Sequence, residues 1–450
     1  MSSFEFASVL LLLAAVFGMI NHCTLKLPAT IGVLVFALLF SVLVLLIDPW
    51  IDAYDLGDYA REVLGSADLP RLLMDTVLAF LLFAGALHVD ISVLQAQKWP
   101  VLGLATIGTL TAIVLFAMGM WAVFGFVGEP VPFIWCLVLG SILAPTDPVA
   151  VSALLKNVGL PLPLQIVITG ESLFNDGIAV VAFLLAFSVA TGESSGFGLL
   201  HIGGEFAREV GGGGILGLLA GYIGYRASRM VDDDNLELTI SLACATLTYT
   251  LAHELGVSGP LAVVVAGLMI GNHALPSGTA HSTHKDDTAN GLVVTFWSLV
   301  DEVLNTLLFL LIGLEVLAVE NDRPAMLAML CAIPLAFVVR LLSVTAPLMS
   351  MRAMAGAQVS RAGAIGVMTW GGLRGGVSVA LALSLPPGPY RGPLLTVCYG
   401  LVVFTIVVQG LTMPWVVRKL LRQVIIDKAN PARSAGREPG GGKDAGFPGL

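Results

Sequence analysis

Apolar runs of about 20 residues recur along almost the whole chain, and a run of that length spans the hydrocarbon core of a bilayer as a helix. Of the 450 residues, 57% are hydrophobic and only 12% are charged. Soluble proteins carry roughly twice that charged fraction. Because lipid offers no hydrogen-bond partners to a backbone, apolar runs of this kind must be helical. The sequence therefore predicts an all-α polytopic membrane protein.

The pattern predicts about thirteen transmembrane helices. They lie near 5–21, 28–47, 71–89, 101–124, 133–155, 164–190, 206–229, 236–252, 258–272, 292–317, 324–349, 361–385 and 393–416. Residues 1–423 are thus predicted to form one membrane domain. Residues 424–450 are rich in proline, glycine and charge, so we expect them to form a short disordered cytoplasmic tail.

The distribution of basic residues favours one orientation in the membrane. With the C-terminus in the cytoplasm, the inner connections contain eleven Lys and Arg residues and the outer connections contain five. The loop from Asp48 to Asp68 is acidic and falls outside. Such a bias is what the positive-inside rule describes. We therefore expect the N-terminus outside and the C-terminus in the cytoplasm.

Polar and acidic residues interrupt the fifth and sixth predicted helices. They are Thr146, Asp147, Glu171, Ser172, Asn175 and Asp176. An ionisable group at the centre of a membrane helix costs at least about 2.5–3.5 kcal/mol, so such groups persist mainly where ions or protons move. The pattern predicts an ion transporter.

One face of the sixth helix carries a candidate cation site. Ser172, Asn175 and Asp176 stand at i, i+3 and i+4, and Glu171 lies on the flank of that face. A hydroxyl, an amide and a carboxylate offer oxygen atoms to a hard monovalent cation, and the carboxylate can take a proton when the cation leaves. The alternative is a polar patch that joins packed helices.

Two of the predicted helices contain residues that break a helix. Pro145 and Pro148 bracket Thr146 and Asp147 in the fifth, and four glycines surround Arg374 in the twelfth, which reads TWGGLRGGVS. Interrupted helices in corresponding halves, running in opposite directions, are typical of inverted-repeat transporters. A simple proline kink is the alternative in the fifth helix.

Buried charges in the apolar segments also need partners. Arg340 lies in the eleventh segment, and we expect it to pair with Glu171. Other classes of protein fit less well. A cation channel has no need for a protonatable carboxylate beside two broken helices. An intramembrane aspartyl protease lacks its Gly-x-Gly-Asp context here, and His253-Glu254 lacks the second histidine of a zinc peptidase.

Four stretches together resemble the NhaP-type sodium/proton antiporters, which are relatives of the animal sodium/proton exchangers. The stretches are ILAPTDPVAV, GESLFNDGIAVVAF, NTLLFLLIGLEV and TWGGLRGGVSVALALSLP, and the resemblance extends from about residue 5 to 420. It implies a secondary active antiporter, which is not an enzyme and needs no cofactor.

The resemblance also assigns roles to the candidate residues. Asp176 would carry cation and proton in turn with the support of Asn175, and Ser172 and the Thr146 backbone would complete the coordination of the cation. Supporting charges would come from ion pairs and helix ends, namely Asp147, Glu171, Arg340 and Arg374.

The family fold implies two crossing interrupted helices in a mobile core bundle, near 101–190 and 324–416. A dimerisation bundle, near 5–89 and 206–317, would hold two copies together as a homodimer. The expected partners are monovalent cations, protons and the lipid of a bacterial inner membrane, with no nucleic acid.

One position departs from the family pattern. Many relatives carry a glutamate in the third helix where this chain has Ala84. With Asn175 also neutral, a single carboxylate is expected to cycle, which predicts electroneutral exchange of one proton for one Na⁺ or Li⁺. The alternatives are a K⁺-selective antiporter and a cation channel.

Overall fold

The computed structural model describes residues 3–47, 77–147, 151, 160–192, 199–231, 233–274, 286–318, 322–350 and 360–421. Pro148, the acidic loop from Asp48 to Asp68 and the predicted tail at 424–450 lie outside these ranges. Within them, the regular structure is helical throughout.

The described residues form fifteen helices, numbered here in chain order. They are α1 (Ser3–Cys23), α2 (Ala29–Ile47), α3 (Leu78–Leu87), α4 (Ile91–Ala96), α5 (Lys98–Val127), α6 (Phe133–Ile142), α7 (Leu162–Thr191), α8 (Leu199–Ser228), α9 (Asp234–Leu255), α10 (Gly259–Ala274), α11 (Asp286–Glu315), α12 (Arg323–Ser350), α13 (Arg361–Trp370), α14 (Gly376–Leu383) and α15 (Arg391–Leu420). Both α5 and α15 contain one short π-helical stretch.

Each predicted apolar segment coincides with one or two of these helices, which confirms the all-α membrane fold. Seven described helices are long and apolar enough to cross a membrane, and three apolar helices are shorter. The prediction of about thirteen crossings is therefore not confirmed by length and hydropathy, and it stays a prediction.

The helices pack in two groups. In one, α5 packs against α6 and α12, α6 packs against α7, and α12 packs against α15. In the other, α8, α9 and α3 all pack against α10, and α2 packs against α11. Gly217 and Gly221 let α8 approach α10 at Ala262 and Ala266, because small residues allow close contact of membrane helices. Helices α7 and α11 contact members of both groups.

Both predicted helix interruptions are present. The first interruption comprises the described residues 143–147 after α6, and the second comprises residues 371–375 between α13 and α14. The two segments touch where they cross. Helix α6 ends at Ile142, and α13 ends at Trp370, with five residues between it and the start of α14 at Gly376. At the crossing, the backbone N–H of Asp147 donates a hydrogen bond of 2.8 Å to the carbonyl oxygen of Leu373. Non-helical backbone at membrane depth is tolerated where protein buries it and supplies such partners.

Two glycines make this crossing sterically possible. A Cβ atom on Gly375 would lie 2.7 Å from Cβ of Asp147, and one on Gly372 would lie 2.9 Å from Nε of Arg340. Both distances are shorter than non-bonded carbon contacts allow. Glycine at these positions therefore lets the second interruption approach both the first interruption and α12.

Candidate functional site

The first interruption and α7 together form a buried polar cluster. The hydroxyl groups of Thr146 and Ser172 are hydrogen-bonded at 2.9 Å, and Nδ2 of Asn175 donates to Oγ1 of Thr146 at 2.8 Å. All three residues are buried. Thr146 thus connects the residues that follow α6 to the polar face of α7.

Asp176 lies next to Asn175 on the same helix and has an oxygen that no described residue satisfies. Its side chain is only 6% exposed, and its Oδ1 atom has no hydrogen-bond partner among the described residues. The same is true of Oδ1 of Asn175. Buried polar atoms are nearly always hydrogen-bonded, and those that are not often mark a functional site. Oδ1 of Asp176 can bind a cation or a proton, and the amide oxygen of Asn175 can act as a ligand to a cation.

A cavity opens beside Asp176 at the crossing. Its walls come from α3, α7 and α11 and from both interruptions, and together with the space open to solvent it measures about 520 Å³. Most of the lining is apolar. The polar lining residues are Thr146, Asp147, Asp176, Asp301 and Asn305. An apolar cavity with a few converging polar groups is the usual form of a small-ligand site.

Asp301 and Asn305 are candidate site residues that sequence reasoning passed over. Both lie on α11, and Nδ2 of Asn305 donates to Oδ1 of Asp301 at 3.0 Å. A signal was available, because a carboxylate and an amide stand at i and i+4 at the start of an apolar stretch that reads VLNTLLFLLIGL. That spacing places both side chains on one face of a helix.

The structure brings Glu171 and Arg340 together as a bidentate ion pair. Nη1 of Arg340 lies 2.6 Å from Oε1 of Glu171, and Nη2 lies 2.8 Å from Oε2. Nε of the same guanidinium donates to the carbonyl of Met368 on α13 at 3.3 Å. Asn175 reaches Oε1 of Glu171 at 3.4 Å, so the pair is linked to the polar cluster. Arg340 therefore connects α7, α12 and α13.

Arg374 binds carbonyl oxygens of the first interruption. Its Nη1 atom donates to the carbonyl of Ala144 at 2.6 Å and to that of Pro145 at 3.1 Å. These carbonyls follow the C-terminal end of α6, where the helix dipole favours a cation. The buried guanidinium therefore caps a half-helix, and the second interruption holds the first in place.

We expect Arg374→Met to destabilise the protein, because it leaves buried carbonyls at the end of α6 without a donor. Each such group costs about 1–3 kcal/mol. Thermal unfolding of purified protein in detergent measures the effect. Arg418→Met is the matched control, since Arg418 is exposed at the end of α15. Equal unfolding temperatures for the two variants would contradict the capping role.

Ala84 does not line the cavity. Its side chain is fully buried in an apolar cluster with Phe83, Val263 and Trp297, while α3 lines the cavity with Leu81, Leu82 and Gly85. Helix α3 therefore brings no carboxylate to the cavity. Among the described lining residues, the carboxylates come from the first interruption, α7 and α11.

Comparison with known proteins matches nearly the whole chain to one family of proteins. The family described as sodium/hydrogen exchanger, transmembrane, matches residues 10–419. The Na(+)/H(+) antiporter NhaP of Pseudomonas aeruginosa is 40% identical over 417 residues, which cover 92% of this chain and 96% of that protein. The Na(+)/H(+) antiporter NhaH of Halobacillus dabanensis is 30% identical over 421 residues, which cover 92% and 98% respectively.

The fold also matches a solved structure. The sodium proton antiporter MjNhaP1 from Methanocaldococcus jannaschii superposes with a TM-score of 0.71 over 93% of this chain and 98% of that protein. The two sequences are 20% identical, so this likeness concerns the fold.

Proposed function

The chain belongs to the sodium/hydrogen exchanger family, and on that premise we propose that it is a secondary active antiporter that exchanges a monovalent cation for H⁺. Membership of a transporter family excludes the protease interpretations. The observation that carries the proposal is Asp176, a buried carboxylate beside a cavity at the crossing of two interrupted helices, with an oxygen that no described residue satisfies.

Exchange follows from the chemistry of one carboxylate that binds either ion. When the cation is bound, the carboxylate of Asp176 and the oxygens of Ser172, Asn175 and Thr146 neutralise and coordinate it. When the cation leaves, a proton neutralises Asp176 instead. In both states the site can change its exposure from one side of the membrane to the other without an uncompensated buried charge, which would cost several kcal/mol. A channel would not need this alternation.

We further propose that the two helix groups move against each other. The bundle near 101–190 and 324–416 holds the crossing and Asp176, and the bundle near 5–89 and 206–317 would form the scaffold of a homodimer in a bacterial inner membrane. The N-terminus would lie outside and the C-terminus in the cytoplasm. Because side chains supply every role, no cofactor is required.

The direct test is ion exchange by purified protein in proteoliposomes. A pH gradient is imposed, and Na⁺, Li⁺ or K⁺ is added while an internal dye reports the pH. We expect Na⁺ and Li⁺ to dissipate the gradient. If K⁺ alone does so, the protein is a K⁺-selective antiporter. If none of the three does so with folded protein, the proposal is wrong.

We expect the exchange to be electroneutral, with one proton for each cation. Glu171 is held by Arg340, Asp301 accepts a hydrogen bond from Asn305, and Asp147 is assigned to balancing the helix ends, which leaves Asp176 as the carboxylate that cycles. The measurement is the exchange rate under potentials set with valinomycin and K⁺. A rate that rises when a potential is imposed would require a second cycling group and would contradict the 1:1 ratio.

A further inference from the structure

Asp301 lies on a different group of helices from Asp176, yet both line the same cavity. Its carboxylate is partly buried, and the amide of Asn305, one helical turn later, holds Oδ1 at 3.0 Å. Asn305 is itself buried, with only 5% of its surface exposed. The hydrogen bond fixes the orientation of the Asp301 carboxylate within the cavity wall.

The charged side chains in the described lining of the cavity are all carboxylates. Three carboxylates, from Asp147, Asp176 and Asp301, line it, and none of the described lining residues is Lys, Arg or His. Like charges repel strongly where little water separates them, and a cation between them removes that repulsion. The field inside the cavity therefore attracts cations.

A second observation points to a ligand at this place. Asp176 is 94% buried, since 6% of it is exposed, and its Oδ1 atom has no partner among the described residues. Asp176 lines the cavity, and a cation bound to it would satisfy this acceptor. Asp301 is the lining carboxylate that belongs to α11, outside the crossing itself.

We propose that Asp301 and Asn305 form an accessory cation subsite, which raises the local cation concentration and passes the ion to Asp176. This inference rests on the proposed antiport. It gives Asp301 the task of capturing the cation, while Asp176 remains the group that exchanges it for a proton. A carboxylate from α11 would thus supply charge to a cavity whose described lining from α3 is apolar.

The test is the dependence of exchange on cation concentration in proteoliposomes for Asp301→Asn, which keeps the size of the side chain and removes its charge. We expect the KM for Na⁺ or Li⁺ to rise about tenfold with little change in maximal rate, as removal of one nearby charge in a site of intermediate dielectric constant predicts. Asp301→Glu should retain most of the wild-type KM.

Glu302→Gln is the matched control, because Glu302 is the next residue on α11 and is exposed. A general effect of lost charge or altered folding would change both variants alike. As a second measurement, stabilisation of the purified protein against heat by added Na⁺ or Li⁺ should require about tenfold more cation in Asp301→Asn. This readout does not depend on turnover.

Should Asp301→Asn fail to fold, Asn305→Ala keeps the carboxylate and removes the group that orients it, so a smaller rise in KM is expected. If the wild type exchanges ions and Asp301→Asn has an unchanged KM, the subsite proposal is wrong and the antiport proposal stands. Absence of exchange in the wild type would instead reject the antiport proposal.

Discussion

We expect Asp176→Asn to abolish cation/proton exchange while the protein still folds. The substitution keeps the size of the side chain and removes the one group that is proposed to bind cation and proton in turn. Among the described residues, Asp176 forms no ion pair with a neighbouring helix, and its Oδ1 atom has no hydrogen-bond partner there. Loss of its charge therefore removes no structural contact of that oxygen. The measurement is dissipation of a pH gradient in proteoliposomes.

Glu254→Gln serves as the control for this experiment, since Glu254 is exposed near the end of α9. It exchanges a carboxylate for an amide outside the cavity and should transport at the wild-type rate. Unfolding temperatures of both variants should lie close to that of the wild type. Exchange at an undiminished rate by Asp176→Asn would transfer the carrier role to another carboxylate, with Asp147 the first to examine.

The second large effect is expected for the ion pair of Glu171 and Arg340. Removing one partner of a buried pair leaves the other charge uncompensated, which typically costs about 3–5 kcal/mol. We therefore expect Glu171→Gln and Arg340→Ala each to lower the unfolding temperature strongly. Activity should fall too, because Asn175 and Gly372 lie against the pair and belong to the crossing region.

A double-mutant cycle isolates the interaction between the two residues. Because their side chains form two short hydrogen bonds, the double variant should be far less destabilised than the sum of the single variants predicts. Arg340→Lys adds a finer comparison, since lysine keeps the charge but cannot form a bidentate contact. Simple additivity in the cycle would mean that the pair does not act as a unit.

Much of the architecture could be predicted from the sequence because the bilayer constrains it so strongly. Apolar runs of spanning length must be helical, and all thirteen predicted segments coincide with helices. Pro145 and the glycines around Arg374 also located both interruptions. Spacing along one helix was equally informative, since Ser172, Asn175 and Asp176 share a face whenever that segment is helical.

Contacts between distant segments depended on the tertiary structure. Glu171 and Arg340 are 169 residues apart, and the sequence suggested their pairing only because each is a charge in an apolar segment. The tertiary structure brings the two side chains within hydrogen-bonding distance. The carbonyl partners of Arg374 could not be predicted, because nothing in a sequence states which half-helix end a guanidinium will reach. The backbone hydrogen bond between Asp147 and Leu373 could not be predicted either.

Asp301 shows the same limit most clearly. On its own helix, Asp301 with Asn305 is an ordinary carboxylate with a hydrogen-bonded amide at i+4, and a solvated or interfacial position would explain it equally well. Only the packing of α11 beside α3, α7 and the two interruptions puts it in the wall of the cavity that holds Asp176. Hydrophobic periodicity and residue spacing are properties of a single helix, so they can be read from the sequence. The electrostatic field of a site is the sum of the charges on several helices, and only the fold determines which helices come together.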